Sequence, residues 1–296
     1  MRVTRESHGP FTRFIMSAPV HVPGEDFLAT AEVSAYLAGD VLIDAGCSRF
    51  ASPLVDALDG NRPQRILLTH QHEDHVGAIS ALRRAFGHIP VFAPRTLLPV
   101  LATGEHVSSY RAAYWGQPDP ILDAIAIDDG DLIDAGAITL RAVATPGHTP
   151  GHMSYLTTGS GPVYGLTGDL LINTRMWLGF FESSAQDLVD SLRLVADIGA
   201  PLYILPAHGR ARAEGSAVLL KAAEWIESEA NTIRKAATDL GSLDPVKVAR
   251  HVYGPPEPAE LATGGDFSTA ALVRSVLSPP RTHPVARLNL SSVPND

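Results

Sequence analysis

Thr69-His70-Gln71-His72-Glu73-Asp74-His75 is the stretch that decides how this chain reads. It follows Ile66-Leu67-Leu68, a short branched apolar run bounded by polar residues, which predicts a buried strand. Side chains two apart on a strand point the same way, so His70 and His72 are expected to project together from its C-terminal end. Val76, Ile79, Leu82 and Phe86 then recur at helical spacing, so Asp74 and His75 open a helix. A strand end and a helix start thus offer four ligand-type side chains to one small volume. Imidazole and carboxylate suit divalent zinc, iron or manganese. The plain alternative is a polar turn that happens to be rich in histidine, and the density of the cluster after a buried strand speaks against it.

The pattern His70-x-His72-x-Asp74-His75 resembles the signature of the metallo-β-lactamase superfamily, and the resemblance extends over residues 14 to 210. It implies three further ligands downstream. The first lies in Thr145-Pro146-Gly147-His148-Thr149-Pro150-Gly151-His152, where two Pro-Gly turns hold the loop in a defined shape. His148 matches the family pattern, and His152 is the competing candidate. The second is Asp169, at the end of the strand Pro162 to Asp169, where Gly168 lets the backbone come close. The third is His208, after the apolar run Leu202-Tyr203-Ile204-Leu205.

The rest of the resembling region reads as follows. Phe11 to Val20, Ala31 to Ala38 and Val41 to Asp44 are β, and Gly39-Asp40 between the last two suggests a type II′ hairpin. Asp44 ends the third strand, where a carboxylate either orients a metal ligand through that ligand's second nitrogen or caps a turn. Ser52-Pro53 starts a short helix. Tyr110, Tyr114 and Trp115 fall at helix spacing, as core residues or as a cover over the site. Ser184 to Asp187 resembles a capping box ahead of a helix with Leu188, Leu192 and Val195. Asn173 to Phe181 is apolar and aromatic where a loop over the groove is expected. Arg175 and Trp177 are its candidate substrate contacts.

The totals agree with one large domain or a domain plus a smaller one: 296 residues, 45% hydrophobic. A net charge of -9 argues against nucleic acid and anionic membrane as partners. The single cysteine, Cys47, leaves no internal disulfide, and it reads as a small buried thiol. With no apolar leader and no run long enough to span a bilayer, a cytoplasmic location is the default expectation. After residue 212 the pattern is helical, with Asp244-Pro245 as a cap followed by proline at the first helical position.

The resemblance implies an α/β (α+β) chain. Residues 1–212 form a four-layer αββα metallo-β-lactamase sandwich, and residues 213–296 a C-terminal helical extension. It implies two divalent ions, zinc first and iron or manganese as alternatives. One would be held by His70, His72 and His148, the other by Asp74, His75 and His208, with Asp169 between them. With Asp169 in the bridging position and no cysteine ligand, the set is similar to the glyoxalase II branch of that superfamily, and the chemistry it implies is hydrolysis of a small ester, thioester or lactone by a metal-bridging hydroxide, which Asp74 orients. Two other classes share the motif: mononuclear iron persulfide dioxygenases, and endoribonucleases of the lactamase-β-2 type, which the acidic charge disfavours. The expected partner is a small molecule, and self-association into a homo-oligomer is left open.

Overall fold

The chain opens with two strands that pair with each other. β1 (Arg2–His8) and β2 (Phe11–His21) are antiparallel, with His8 opposite Phe11 and Arg2 opposite Ser17. β2 continues antiparallel onto β3 (Leu28–Ala38), which turns through Gly39 into β4 (Val41–Ile43). Gly39 takes φ +54 and Asp40 has no positive φ, as a type II′ turn requires. The sheet then changes character. β5 (Arg65–Leu67), β6 (Val91–Pro94) and β7 (Ile125–Ile127) are added in parallel, giving the order β1-β2-β3-β4-β5-β6-β7. Parallel strands need crossovers. These carry α1 (Ala51–Leu58), α2 (Glu73–Val76), α3 (Ile79–Phe86), α4 (Leu98–Thr103) and α5 (Ser109–Trp115).

The second sheet is ordered β12-β11-β10-β9-β8, from β8 (Leu132–Asp134), β9 (Thr139–Ala144), β10 (Met153–Thr157), β11 (Val163–Gly168) and β12 (Leu202–Pro206). β11 and β12 are parallel, joined across α6 (Ala185–Ala196). α7 (Gly215–Leu240), α8 (Pro245–Tyr253) and α9 (Thr269–Leu277) follow. This computed structural model describes residues 2–21, 28–104, 107–176, 179–256, 260–261 and 263–279.

Three apolar cores define four layers. Leu54, Leu58, Ile79 and Leu82 pack with Phe14, Met16, Leu42 and Ile66 on the outer face of the first sheet. Tyr36, Val41, Ile43 and Leu67 meet Leu140, Tyr155, Leu166 and Leu205 between the sheets. Leu188, Leu192, Leu219, Ala223 and Ile226 cover Val143, Leu156 and Ile204 on the outer face of the second sheet. α7 therefore shares its core with the sheet it lies on, and Val248, Leu272 and Val273 of α8 and α9 extend the same core outward. Among the described residues, no helix is long and apolar enough to cross a membrane.

Several local expectations shift. β1 and β10 were not foreseen, because the polar run at 2–8 and the short, fully buried run at 153–157 show no alternation. β5 ends at Leu67, so His70 and His72 stand in the loop beyond it rather than on the strand. The helix after them is a single turn, α2, followed by α3 rather than one continuous helix. α1 begins at Ala51, one residue before the Ser-Pro pair.

Hydrogen bonds between and within the sheets gather the C-terminal strand ends at one edge. Tyr155 donates its hydroxyl to the Leu68 carbonyl at 2.7 Å, and Met153 N–H donates to Thr69 O at 2.9 Å. Ala207 N–H donates to Gly168 O at 3.0 Å, and Ser34 N–H to Ala207 O at 2.8 Å. The loops after β5, β9, β11 and β12 thus open onto one volume, where irregular backbone carries chemistry.

Candidate metal centre

All seven side chains of the ligand set implied by the sequence meet at this edge. They fall into three groups, each with ligand atoms within 4.8 Å of one another: His70, His72 and His148; His70, His75 and Asp169; Asp74, His75 and His208. All but His208 are buried.

The partners behind each ring fix which nitrogen faces inward. Thr69 donates its hydroxyl to Asp44 Oδ2 at 2.8 Å, so its oxygen accepts from His70 Nδ1 at 3.0 Å. His75 Nδ1 donates to the same Asp44 oxygen at 2.8 Å. His72 Nε2 donates to Glu182 Oε1 at 3.0 Å, and His208 Nδ1 to the Glu32 carbonyl at 2.6 Å. A neutral imidazole has one N–H. The inward nitrogens of these four rings therefore present lone pairs.

Those lone pairs crowd together. His72 Nδ1 lies 3.0 Å from both His70 Nε2 and His148 Nε2. His208 Nε2 faces Asp74 Oδ2 at 3.1 Å, and His75 Nε2 faces Asp169 Oδ1 at 3.4 Å. His75 Nε2 and Asp169 Oδ1 are buried with no hydrogen-bond partner among the described residues. Acceptors aimed at acceptors in a buried volume are unfavourable unless a cation lies between them. The donor set, nitrogen with carboxylate oxygen, fits divalent metal ions.

The electrostatics of the cluster divide it into two halves. Burial pushes His148 down to about 3 and His70 well below the usual histidine value, so this half stays neutral, with its lone pairs not taken up by protons. Around His75 and His208 burial acts in the same sense but is outweighed. Asp44, Asp74 and Asp169 hold His75 well above its usual value, and Asp169 and Asp74 raise His208 to about 9. For the carboxylates, burial works against the charge. His75 and His208 nevertheless bring Asp74 to about 2, and His208, His75 and His148 hold Asp169 well below the carboxylate range. In the metal-free protein protons occupy the positions that cations would take.

Local sequence explains the placement. Gly168 has φ +47, and a Cβ there would come within 2.7 Å of Thr69 Oγ1 and 2.8 Å of His152 Nε2. Only glycine lets Asp169 follow β11 at this spot. His152, the rival of His148, has both nitrogens engaged: Nε2 accepts from Asp169 N–H at 3.1 Å and Nδ1 meets Thr145 Oγ1 at 2.9 Å. It holds the Asp169 backbone. The His148 loop is fixed by α6, through Ser183 Oγ donating to His148 O and Ser184 N–H donating to Gly147 O. Ser184 also caps α6 by accepting from Asp187 N–H at 3.3 Å. Asp44, which the sequence left between orienting a ligand and capping a turn, orients His75 and, through Thr69, His70. Cys47 is a buried thiol whose pKa burial pushes up to about 12, so it stays protonated.

Sequence reasoning missed the surroundings. Glu182 stands behind His72. Phe180 packs on His72 and His148, with ring centroids at 4.6 and 5.4 Å. Phe267, from the loop before α9, lies edge-on to Phe180 at 4.9 Å, and the Arg111 guanidinium lies 4.8 Å from its centroid. Arg111 also makes a two-pronged ion pair with Glu73, which is 1% exposed. Trp115 of α5 approaches His208 at 6.1 Å, so α5 does lie beside the site, while Tyr110 donates to Asp266 at 2.9 Å. These pairs join residues up to 156 positions apart, and no local signal marks them. Of the two candidate substrate contacts, Arg175 is exposed on the loop after β11, and Trp177 lies outside the described residues.

Comparison with known proteins gives the same outline. Residues 32–208 match the sequence profile of the metallo-beta-lactamase superfamily. A hydroxyacylglutathione hydrolase from Yersinia enterocolitica is 31% identical over 170 residues, 57% of this chain and 56% of that protein. The chain thus spans about half the length of such relatives. An uncharacterized protein from Mycobacterium leprae is 30% identical over 188 residues, 60% of this chain and 83% of that one. Among solved structures, a beta-lactamase domain protein from Burkholderia ambifaria superposes with a TM-score of 0.66 at 16% identity, covering 92% of this chain and 86% of that one. That likeness concerns the fold. With the profile match spanning the four loops that carry the cluster, the chain belongs to the metallo-beta-lactamase superfamily.

Proposed function

We propose that this chain is a binuclear metal-dependent hydrolase of a small ester, thioester or lactone. The observation that carries the proposal is the pair of lone-pair clusters sharing Asp169: His70, His72 and His148 on one side, Asp74, His75 and His208 on the other. Asp169 Oδ2 lies 3.3 Å from His148 Nε2 and Oδ1 lies 3.5 Å from His208 Nε2, so one carboxylate reaches both halves. Zinc is the first expectation for both positions. Divalent ions held there supply an activated water and a Lewis acid for the substrate carbonyl.

The chain's own residues do the rest. Asp74 is ionised and turns one oxygen to His208; its other oxygen would accept a hydrogen bond from the attacking water and aim it. Asp44, Thr69, Glu182 and the Glu32 carbonyl hold four imidazoles so that their basic nitrogens need not reorient during turnover. Phe180 at one end and Trp115 at the other give the groove apolar walls suited to an uncharged acyl or alkyl group. Arg175, on the same loop as Phe180, would meet an anionic group where the substrate has one, and Trp177 is proposed as its neighbour in that role. The class name of the Yersinia relative, a hydrolase of an acyl thioester, favours thioesters within the proposed range.

The test is a panel of aryl esters, lactones and acyl thioesters with zinc-loaded protein, run beside Asp74→Asn. Turnover of one class, cut by roughly 10²-fold or more in kcat in the variant, supports the proposal. A zinc-loaded protein inert toward all three classes overturns it.

A further inference from the structure

We infer that Glu182 is a positioning residue that sets the metal affinity of the His70–His72–His148 half of the centre, independently of the other half. The inference rests on the binuclear reading above. Its basis is a difference in how the two halves are supported. On the side of Asp74, His75 and His208, the supports come from the sheet framework: Asp44 at the end of β4 and the Glu32 carbonyl within β3. His70 reaches the same Asp44 through Thr69. His72 turns its outer nitrogen the opposite way, to Glu182 Oε1 at 3.0 Å, on the loop before α6 and 110 residues away in sequence.

The bond has two effects on His72. It holds the proton on Nε2, so Nδ1 carries the lone pair that faces His70 and His148. It also places a negative charge behind the ring, which raises the basicity of that lone pair. Phe180 packs against the same imidazole at 4.6 Å, and Ser183 and Ser184 bond the His148 loop. Residues 180–184 therefore orient two of the three ligands of that half. The carboxylate is about one quarter exposed and His72 is buried, so the charge acts across a largely dry contact.

Titration of chelator-treated protein with cobalt(II), followed by its visible absorption and by competition with a chelator of known affinity, tests this. The parent is expected to fill two sites. In Glu182→Ala one site weakens by roughly 10–100-fold and the other stays within about twofold, and Glu182→Gln, which still accepts from Nε2 but lacks the charge, falls between. Thermal melts of the metal-free variants show whether each is folded, and if the alanine variant is not, the glutamine variant carries the comparison. Equal affinity in parent and folded variant, or equal loss at both sites, overturns the role of Glu182. Failure of the parent itself to bind cobalt overturns the metal-centre reading instead.

Discussion

Removing Arg111 should cost this protein more than any exposed ion pair could. Glu73 lies within the motif, is 1% exposed, and takes both its oxygens to the Arg111 guanidinium. Arg111→Ala leaves a buried carboxylate without its partner, which costs about 3–5 kcal/mol. It also removes the cation from the face of Phe180, a contact on the order of 0.5–2 kcal/mol. The two losses come together to about 3.5–7 kcal/mol, and at about 2–4 °C per kcal/mol the melting temperature of the metal-free protein should fall by roughly 7–28 °C. Because the penalty arises from the unpaired charge, Glu73→Leu with Arg111→Met should recover most of it, as buried pairs replaced by apolar residues are often neutral. Urea and thermal unfolding of Glu73→Leu, Arg111→Met and the double variant form a cycle that isolates the coupling. A loss under about 1 kcal/mol in Arg111→Ala, or a double variant as unstable as the sum of the singles, would refute the reasoning. For Arg111→Ala the zinc-loaded enzyme should also show a raised KM, since Phe180 loses one of its supports.

Two further outcomes follow from the centre itself. Burial holds His148 and His152 at about 3, far below the roughly 6.5 of an unfolded histidine. The unfolded chain therefore binds protons that the folded one refuses, and stability falls as pH drops below about 6.5. Burial opposes the charge of Glu182 but His72 brings it to about 2, so the loss continues as pH falls from about 4.3 toward 2. His208, raised to about 9, acts with the opposite sign: its contribution is complete below about 6.5 and is lost as pH rises toward 9. Chelator-treated protein should thus be most stable near pH 6.5, and urea midpoints that are level from pH 5 to 8 would contradict the assignment. Gly168→Ala should destabilise the metal-free fold by about 1–3 kcal/mol and weaken metal binding, because its Cβ meets Thr69 and His152 at a positive φ; unchanged melting and affinity would show that the loop has room.

The legible part of this protein was the part written in short motifs. His70, His72, Asp74 and His75 lie within six positions, and His148, Asp169 and His208 each follow an apolar run, so chemistry and strand ends coincide in the sequence. The apolar runs at 11–20, 31–38 and 41–44 and the caps at Ser184 and Asp244 were likewise local, and the structure places strands and helices there. What escaped was either too short to show a period or decided by distant contacts. β1 is polar because it is an edge with little to bury, and β10 is buried on both faces, so neither alternates. The strand and helix flanking the motif are shorter than expected, and His70 and His75 there are held instead by Thr69 and Asp44. Glu182, Arg111 and Phe267 reach the site from separate loops and helices, and a single sequence holds no signal of such pairings.

Metal content is the most direct measure of the central claim. Elemental analysis of protein purified without added metal should give about two divalent ions per chain, zinc foremost, with Asp169→Ala retaining fewer because it removes the carboxylate shared by both halves. About one iron per chain would contradict the binuclear hydrolase and turn attention to oxidation of a persulfide. No bound metal in freshly prepared, chelator-free protein would contradict the reading of the whole centre.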